Sequence, residues 1–314
     1  MGSHTEDYKI PSISYAELFN DDDNVRCLAT TQLAQALKAY GACRIRDHGI
    51  SQDIIDNCFE KSRSFFERPL EEKVADYENS GTTTNSRFVP FASEIVRGEL
   101  HLDETLEFQH SVYDLPGTWS EPGRQLVETS KYLHEECNRV HLNLLTCLSS
   151  AMNLPRSLSS IHSVRNSFFA PYYYCFKDEE DNNTLRVPPH IDPTTMLFCF
   201  QDSLAGLEVA DISNETGNIS TTSVKKVADF IPTTCEPGEF ILLIGHVLRR
   251  LVGEFKHSVH RVKRPPGTSG FHLNYWTVPD LDTPCDFGNK KEDVAGYLAR
   301  VFPAALRNTV HQDR

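Results

Sequence analysis

His190 and Asp192 stand two residues apart in Val187-Pro188-Pro189-His190-Ile191-Asp192-Pro193-Thr194-Thr195, and the apolar run Met196-Leu197-Phe198-Cys199-Phe200 follows. On an extended segment, residues two apart point to the same face. An imidazole and a carboxylate on one face are two ligands for a divalent metal. A third candidate, His260, lies in a second strand-like run, Phe255-Lys256-His257-Ser258-Val259-His260-Arg261-Val262. Two histidines and one carboxylate on one side of a metal leave its other positions open, which suits non-heme Fe(II) centres that bind O2. By the same alternation His257, three residues before His260, faces away and is not expected as a ligand. A lone His-x-Asp is weak evidence; the later histidine and the β-rich setting make it specific.

These residues need strands to hold them, and from residue 164 onward the texture is β: residues 167–174, the His190 run, the Met196 run, Glu208-Val209, and residues 240–244, 255–262 and 270–278. Many short strands with intervening turns suggest a double-sheet jelly roll. Before them, residues 27–40 have helical spacing, 42–46 read as a strand, and Ser51 is a candidate N-cap for a helix through Phe66. A long helix is predicted over 124–152. Its His134 and His141 are two turns apart, roughly 10 Å along the axis, too far to share a metal, and are read as surface or packing residues. His48 is read as a turn residue. Residues 211–223 are a polar insertion, and 291–308 are helical in pattern with Pro303 as a breaker.

The 314 residues, 39% of them hydrophobic, suffice for a sizeable core. A net charge of −13 argues against nucleic acid or an anionic membrane as partner. No apolar run spans a bilayer. Nine scattered cysteines without a Cys-x-x-Cys pair fit reduced thiols of a cytoplasmic enzyme, with a monomer as the expected state.

The motifs also carry a family resemblance. Pro189-His190-Ile191-Asp192, then Gln201-Asp202 and Gly206-Leu207-Glu208-Val209, resemble the signature of isopenicillin N synthase-like 2-oxoglutarate/Fe(II) dioxygenases. Pro237-Gly238-Glu239, Gly245, Gly253, Lys256 and His260-Arg261-Val262 resemble the family's second block. Phe65-Phe66-Glu67-Arg68-Pro69-Leu70-Glu71-Glu72-Lys73 resembles its N-terminal segment. The resemblance implies an α+β fold with a double-stranded β-helix (jelly roll) core and flanking helices. It implies residues 1–120 as the N-terminal helical and strand segment and 121–314 as the catalytic core with a C-terminal helix, in one compact unit. It makes His190, Asp192 and His260 the iron ligands, O2 a co-substrate, and Arg87-Phe88-Val89-Pro90 with residues 104–110 the cover of the pocket mouth.

One part of the pattern departs. Relatives hold 2-oxoglutarate with Arg-x-Ser on the strand after the distal histidine, assisted by a tyrosine on an earlier strand; a guanidinium fork grips a carboxylate through two hydrogen bonds. Here those positions read Gly270 and His272, and the tyrosine is expected to be Phe168 or Phe169. The 2-oxoglutarate site is therefore expected to be atypical or absent, with His272, Arg165, Arg249 or Arg250 as substitute anchors. Phe168, Phe198, Tyr275 and Trp276 are candidate walls for a small organic substrate, and Arg87 a further contact. The expected activity is an Fe(II) oxygenase or oxidase in a tailoring step of specialised metabolism. The alternatives are a non-redox metal-assisted cyclase or isomerase, and a non-catalytic binding protein, which would have no need of an open metal position.

Overall fold

A computed structural model describes residues 10–301 except 84, 97, 116, 176–184, 203–205, 216–228, 264–268 and 287–290. Two sheets face each other. The larger has eight strands in the order β1-β2-β12-β9-β14-β7-β6-β3, the smaller four in the order β11-β10-β13-β8. The larger contains β1 (Ser12–Ser14), β2 (Ala42–Arg46), β3 (Ser86–Val89), β6 (Glu104–Gln109), β7 (Ser167–Tyr174), β9 (Met196–Gln201), β12 (Glu239–Ile244) and β14 (Gly270–Thr277). The smaller contains β8 (Leu185–His190), β10 (Leu207–Ala210), β11 (Phe230–Pro232) and β13 (His260–Lys263). Two small hairpins, β4 (Ile95–Val96) with β5 (Glu99–Leu100) and β15 (Pro284–Asp286) with β16 (Lys291–Asp293), complete the strands.

Alternation decides which residues meet between the sheets. Tyr174, Leu197, Cys199, Ile241 and Leu243 of the large sheet form one apolar cluster with Val187, Leu207, Val209, Ile231 and Val262 of the small one, and Tyr172 and Trp276 pack against it. The opposite face of the large sheet buries Phe108, Phe169, Phe198, Phe200, Phe271, Leu273 and Tyr275 against a helical layer. That layer comprises α1 (Tyr15–Leu18), α2 (Asp23–Tyr40), α3 (Gln52–Phe66), α4 (Leu70–Asn79) and the long α5 (Glu121–Ala151); α6 (His246–Val252) and α7 (Val294–Val301) follow later in the chain. Asp22 caps α2 by accepting from the Asn24 N–H at 2.8 Å, and Ser120 caps α5. Ser51 takes the N-cap backbone conformation at α3 without a side-chain cap bond.

Several boundaries differ from the sequence reading. The run 255–262 becomes a strand only from His260, and the C-terminal helix starts at Val294 after the β16 strand. Pro303 and residues 216–223 of the polar insertion lie outside the described residues. Strands β1, β2, β3 and β6 are hydrogen-bonded into the same sheet as β7 and β12, so the sheet crosses the expected 120/121 boundary. His134 and His141 are wholly buried on α5 and bond Ser167 and Thr277 of the sheet at 2.7 and 2.9 Å, which makes them packing residues rather than surface ones. No helix among the described residues is long and apolar enough to cross a membrane.

Candidate metal centre and its pocket

His190 ends β8 and His260 opens β13, and the two are direct partners across that antiparallel pair. Asp192 follows β8 in a segment pinned by backbone bonds: the His246 N–H donates to the Asp192 carbonyl at 2.8 Å and the Val247 N–H to that of Thr194 at 3.1 Å. These are first-turn amides of α6, which have no acceptor inside the helix. Gly245 is required there because an added Cβ would lie 2.1 Å from the Thr194 carbonyl oxygen. On the outer face of β10, Glu208 pairs with Arg261 at 2.6 Å and Lys263 at 3.0 Å, fixing β13 beside it.

One ligand atom from each of His190, Asp192 and His260 lies within 4.8 Å of the others. His190 Nε2 is 3.4 Å from Asp192 Oδ1, and His260 Nε2 is 3.5 Å from Asp192 Oδ2. The His190 Nδ1–H donates to the Pro188 carbonyl at 2.9 Å, which leaves the Nε2 lone pair for a metal. Asp192 Oδ2 is buried and accepts no hydrogen bond among the described residues, as expected of an oxygen shaped to take a cation. Burial would raise the Asp192 carboxyl, but His260 and His190 outweigh it and hold it down at about 2. Burial, then the neighbouring His190, pushes His260 down to about 4, keeping it neutral as a ligand must be. The donor set of two imidazoles and a carboxylate therefore fits a divalent ion such as Fe(II). His257 stacks on His246, ring centres 5.6 Å apart, outside this group, and His48 accepts from the Ile50 N–H in its turn.

The interior face of the large sheet, which looks toward the small sheet and the candidate metal centre, carries the remaining candidates. His272 lies there opposite Tyr172 and Gln201, with Gly270 opposite Tyr174. Tyr174 Oη is 3.0 Å from His272 Nδ1. With the phenol as donor to Nδ1, the ring proton of a neutral His272 sits on Nε2. Beside the two phenylalanines expected at the family's tyrosine position, the structure shows two tyrosines near His272. Phe169 faces the helical layer, Phe168 stacks on Trp276 with centroids 3.9 Å apart, and it is Tyr172 and Tyr174 that stand beside His272.

Other candidates separate cleanly. Phe168 and Trp276 share the interior face with His272. Phe198 and Tyr275 point the other way: Phe198 stacks on Phe240, and Tyr275 Oη donates to Asn138 of α5 at 3.2 Å, so neither lines the pocket. Arg165 is exposed before the first residue of β7, at the opposite end from Tyr174, and does not reach His272. Arg249 and Arg250 sit in the last turn of α6. Arg87 is half-buried on β3 and engaged with Glu94 and, at 3.6 Å, Glu107.

Sequence reasoning missed Tyr172, Tyr174, His101 and Asp103. The His101 ring lies 6.0 Å from that of His190, and its imidazole is lowered by burial first and then by His190. Asp103 immediately precedes β6. There Thr105 pairs with Tyr172 and Glu107 with Arg87, so alternation puts Asp103, Thr105 and Glu107 on the pocket side. That alternation is visible in the sequence once the strand is known.

Two family descriptions match the chain: the N-terminal region of non-haem dioxygenases in morphine synthesis over residues 10–127, and the 2OG-Fe(II) oxygenase superfamily over residues 161–279. Among curated relatives, the proline hydroxylase buaE of Petromyces alliaceus is 25% identical, over 95% of this chain and 92% of its own length. The 2-oxoglutarate-dependent dioxygenase frbA of a Dothideomycetidae species is 23% identical, over 90% and 86%. Among solved structures, a full-length Neurospora crassa protein in complex with alpha-KG superposes with a TM-score of 0.76 at 18% identity, covering 95% of this chain and 97% of that one. The rice dioxygenase for auxin oxidation gives 0.74 at 16%, covering 94% and 96%.

Proposed function

Because this chain belongs to the isopenicillin N synthase-like superfamily of 2-oxoglutarate/Fe(II) dioxygenases and is a non-heme iron oxidoreductase, we propose that it oxidises a small organic molecule in specialised metabolism. In this reading His190, Asp192 and His260 hold iron, the two facing sheets are the walls of a jelly roll, and His272 takes the place of the family's arginine. The observation that carries it is the convergence of the three ligand atoms around a buried, unpartnered Asp192 oxygen.

When bound, Fe(II) would supply open positions for O2 and the oxidising chemistry. The chain's residues do the rest. Pro188 orients His190 through Nδ1, and the α6 amides hold the Asp192 segment. Val187, Leu197, Leu207 and Val262 line the space between the sheets with apolar surface that excludes water. Tyr174 fixes the His272 tautomer that donates from Nε2. A single neutral donor replaces a bidentate cation, so the far carboxylate of 2-oxoglutarate is held more weakly than by a guanidinium fork. Nothing in the site favours the non-redox cyclase or isomerase reading.

Anaerobic Fe(II) titration, with and without 2-oxoglutarate, tests this through the visible charge-transfer band. The expected result is stoichiometric Fe(II) binding that His190→Ala or His260→Ala abolishes, with a band that saturates only at high 2-oxoglutarate. Fe(II) binding that persists in both variants overturns the reading.

A further inference from the structure

Asp103 is 2% exposed, and both its carboxylate oxygens lack a hydrogen-bond partner among the described residues. A buried carboxylate without a partner is costly and rare, and it marks a place where a ligand completes the structure. Asp103 immediately precedes β6, and continuing the alternation of that strand places it on the same face as Thr105, which pairs with Tyr172. Its charge acts on His190, Tyr172 and Tyr174, one of the candidate metal ligands and two tyrosines of β7, the strand paired with β6. Resting on the proposed oxygenase site, we propose that Asp103 is the seat of a protonated nitrogen, so that the substrate is an organic ammonium held next to the metal centre.

The surrounding charges favour a cation from outside over one already in place. Arg87 is taken by Glu94 and Glu107. Arg186 of β8 donates to the Cys175 carbonyl at 2.6 Å. Lys73 lies on the other face of the sheet, bonded to Glu104 at 2.7 Å. The charge of a divalent ion would be cancelled by Asp192 and a dicarboxylate cosubstrate, so the metal centre itself would not neutralise Asp103. Burial, with Glu94 and Glu107 adding to it, pushes the Asp103 carboxyl up to about 7; a cation seated against it would reverse that shift. Asn274 shares the interior face with His272 and Trp276, and its Oδ1 is also buried without a partner among the described residues, a second acceptor suited to N–H donors.

A matched pair of probes tests this: cyclohexylamine, protonated at neutral pH, against cyclohexanol of the same shape. Calorimetry and ligand-observed NMR are run on the full chain, metal-free and loaded with Mn(II) as a redox-silent stand-in. The ammonium is expected to bind at least about tenfold more tightly than the alcohol, as a charge-assisted bond should. Asp103→Asn is expected to bring the two affinities together while Mn(II) still binds. Equal binding of the two probes, no binding of either, or a preference that survives in Asp103→Asn overturns the inference. The wild-type ratio decides it even if that variant does not fold. Failure of Mn(II) to bind the wild type would instead overturn the oxygenase site, because the ammonium preference is also read in the metal-free protein.

Discussion

Removing the His272 imidazole is the most direct perturbation of the proposed cosubstrate site. In His272→Ala the Nε2–H donor disappears from the interior face, and Tyr174 loses the acceptor 3.0 Å from its hydroxyl. A hydrogen bond to a charged carboxylate contributes about 1.5–3 kcal/mol, which corresponds to a rise of roughly 10- to 150-fold in the 2-oxoglutarate Kd. Tyr174→Phe keeps the ring but frees Nδ1, so the imidazole no longer holds its proton on Nε2. That loss is the smaller one, about 0.5–1.5 kcal/mol or roughly 2- to 10-fold. The assay is the anaerobic titration of the Fe(II) complex with 2-oxoglutarate, with Fe(II) affinity measured separately and expected to hold in both variants. His272→Gln, which restores an N–H donor, should recover part of the loss and so separates a missing bond from a damaged core. A Kd for His272→Ala within about twofold of wild type would refute the reasoning and place the anchor elsewhere.

Three further outcomes concern stability. Asp103 holds its proton in the metal-free folded state up to about pH 7, against 3.8 when unfolded, so stability falls as pH rises from about 4 to 7. In denaturant titrations Asp103→Asn should therefore be more stable than wild type at pH 8, by at most about 4 kcal/mol, and nearly equal to it at pH 4. Lys73→Met leaves Glu104 buried without its cation, at an expected cost of about 3–5 kcal/mol at pH 8. Burial, outweighing Lys73, already raises the Glu104 carboxyl, and the deficit should shrink as pH falls and Glu104 protonates; a pH-independent deficit would contradict this. Gly245→Ala drives a Cβ into the Thr194 carbonyl and should cost about 1–3 kcal/mol or more, with weakened metal binding because Asp192 lies two residues away; an unchanged denaturation midpoint would contradict it.

The grouping of His190, Asp192 and His260 was legible in the chain itself. His190 and Asp192 are two residues apart in the sequence, but Asp192 lies just beyond the end of β8, and the α6 amides hold its segment. His260 was legible through its β run and the family motif around it; His257 lies outside the group as expected, but in a segment before β13 where it stacks on His246 rather than on the opposite face of a strand. The glycines of the second block were visible too, although the reason for Gly245, an approach to Thr194, needs the fold. What the sequence left open was which long-range partners share a face. Phe198 and Tyr275 are as apolar as Phe168 and Trp276, yet they lie on the far side of the same sheet, because the inward phase of a strand depends on what packs against each face. Tyr174 meets His272, 98 positions later, only through the β7–β14 register. Asp103 looks like one acid among many until β6 joins the large sheet and buries it. Local spacing brought His190 and Asp192 close; strand pairing, which is a property of the assembled chain, brought His260 to them and, with burial, decided their surroundings.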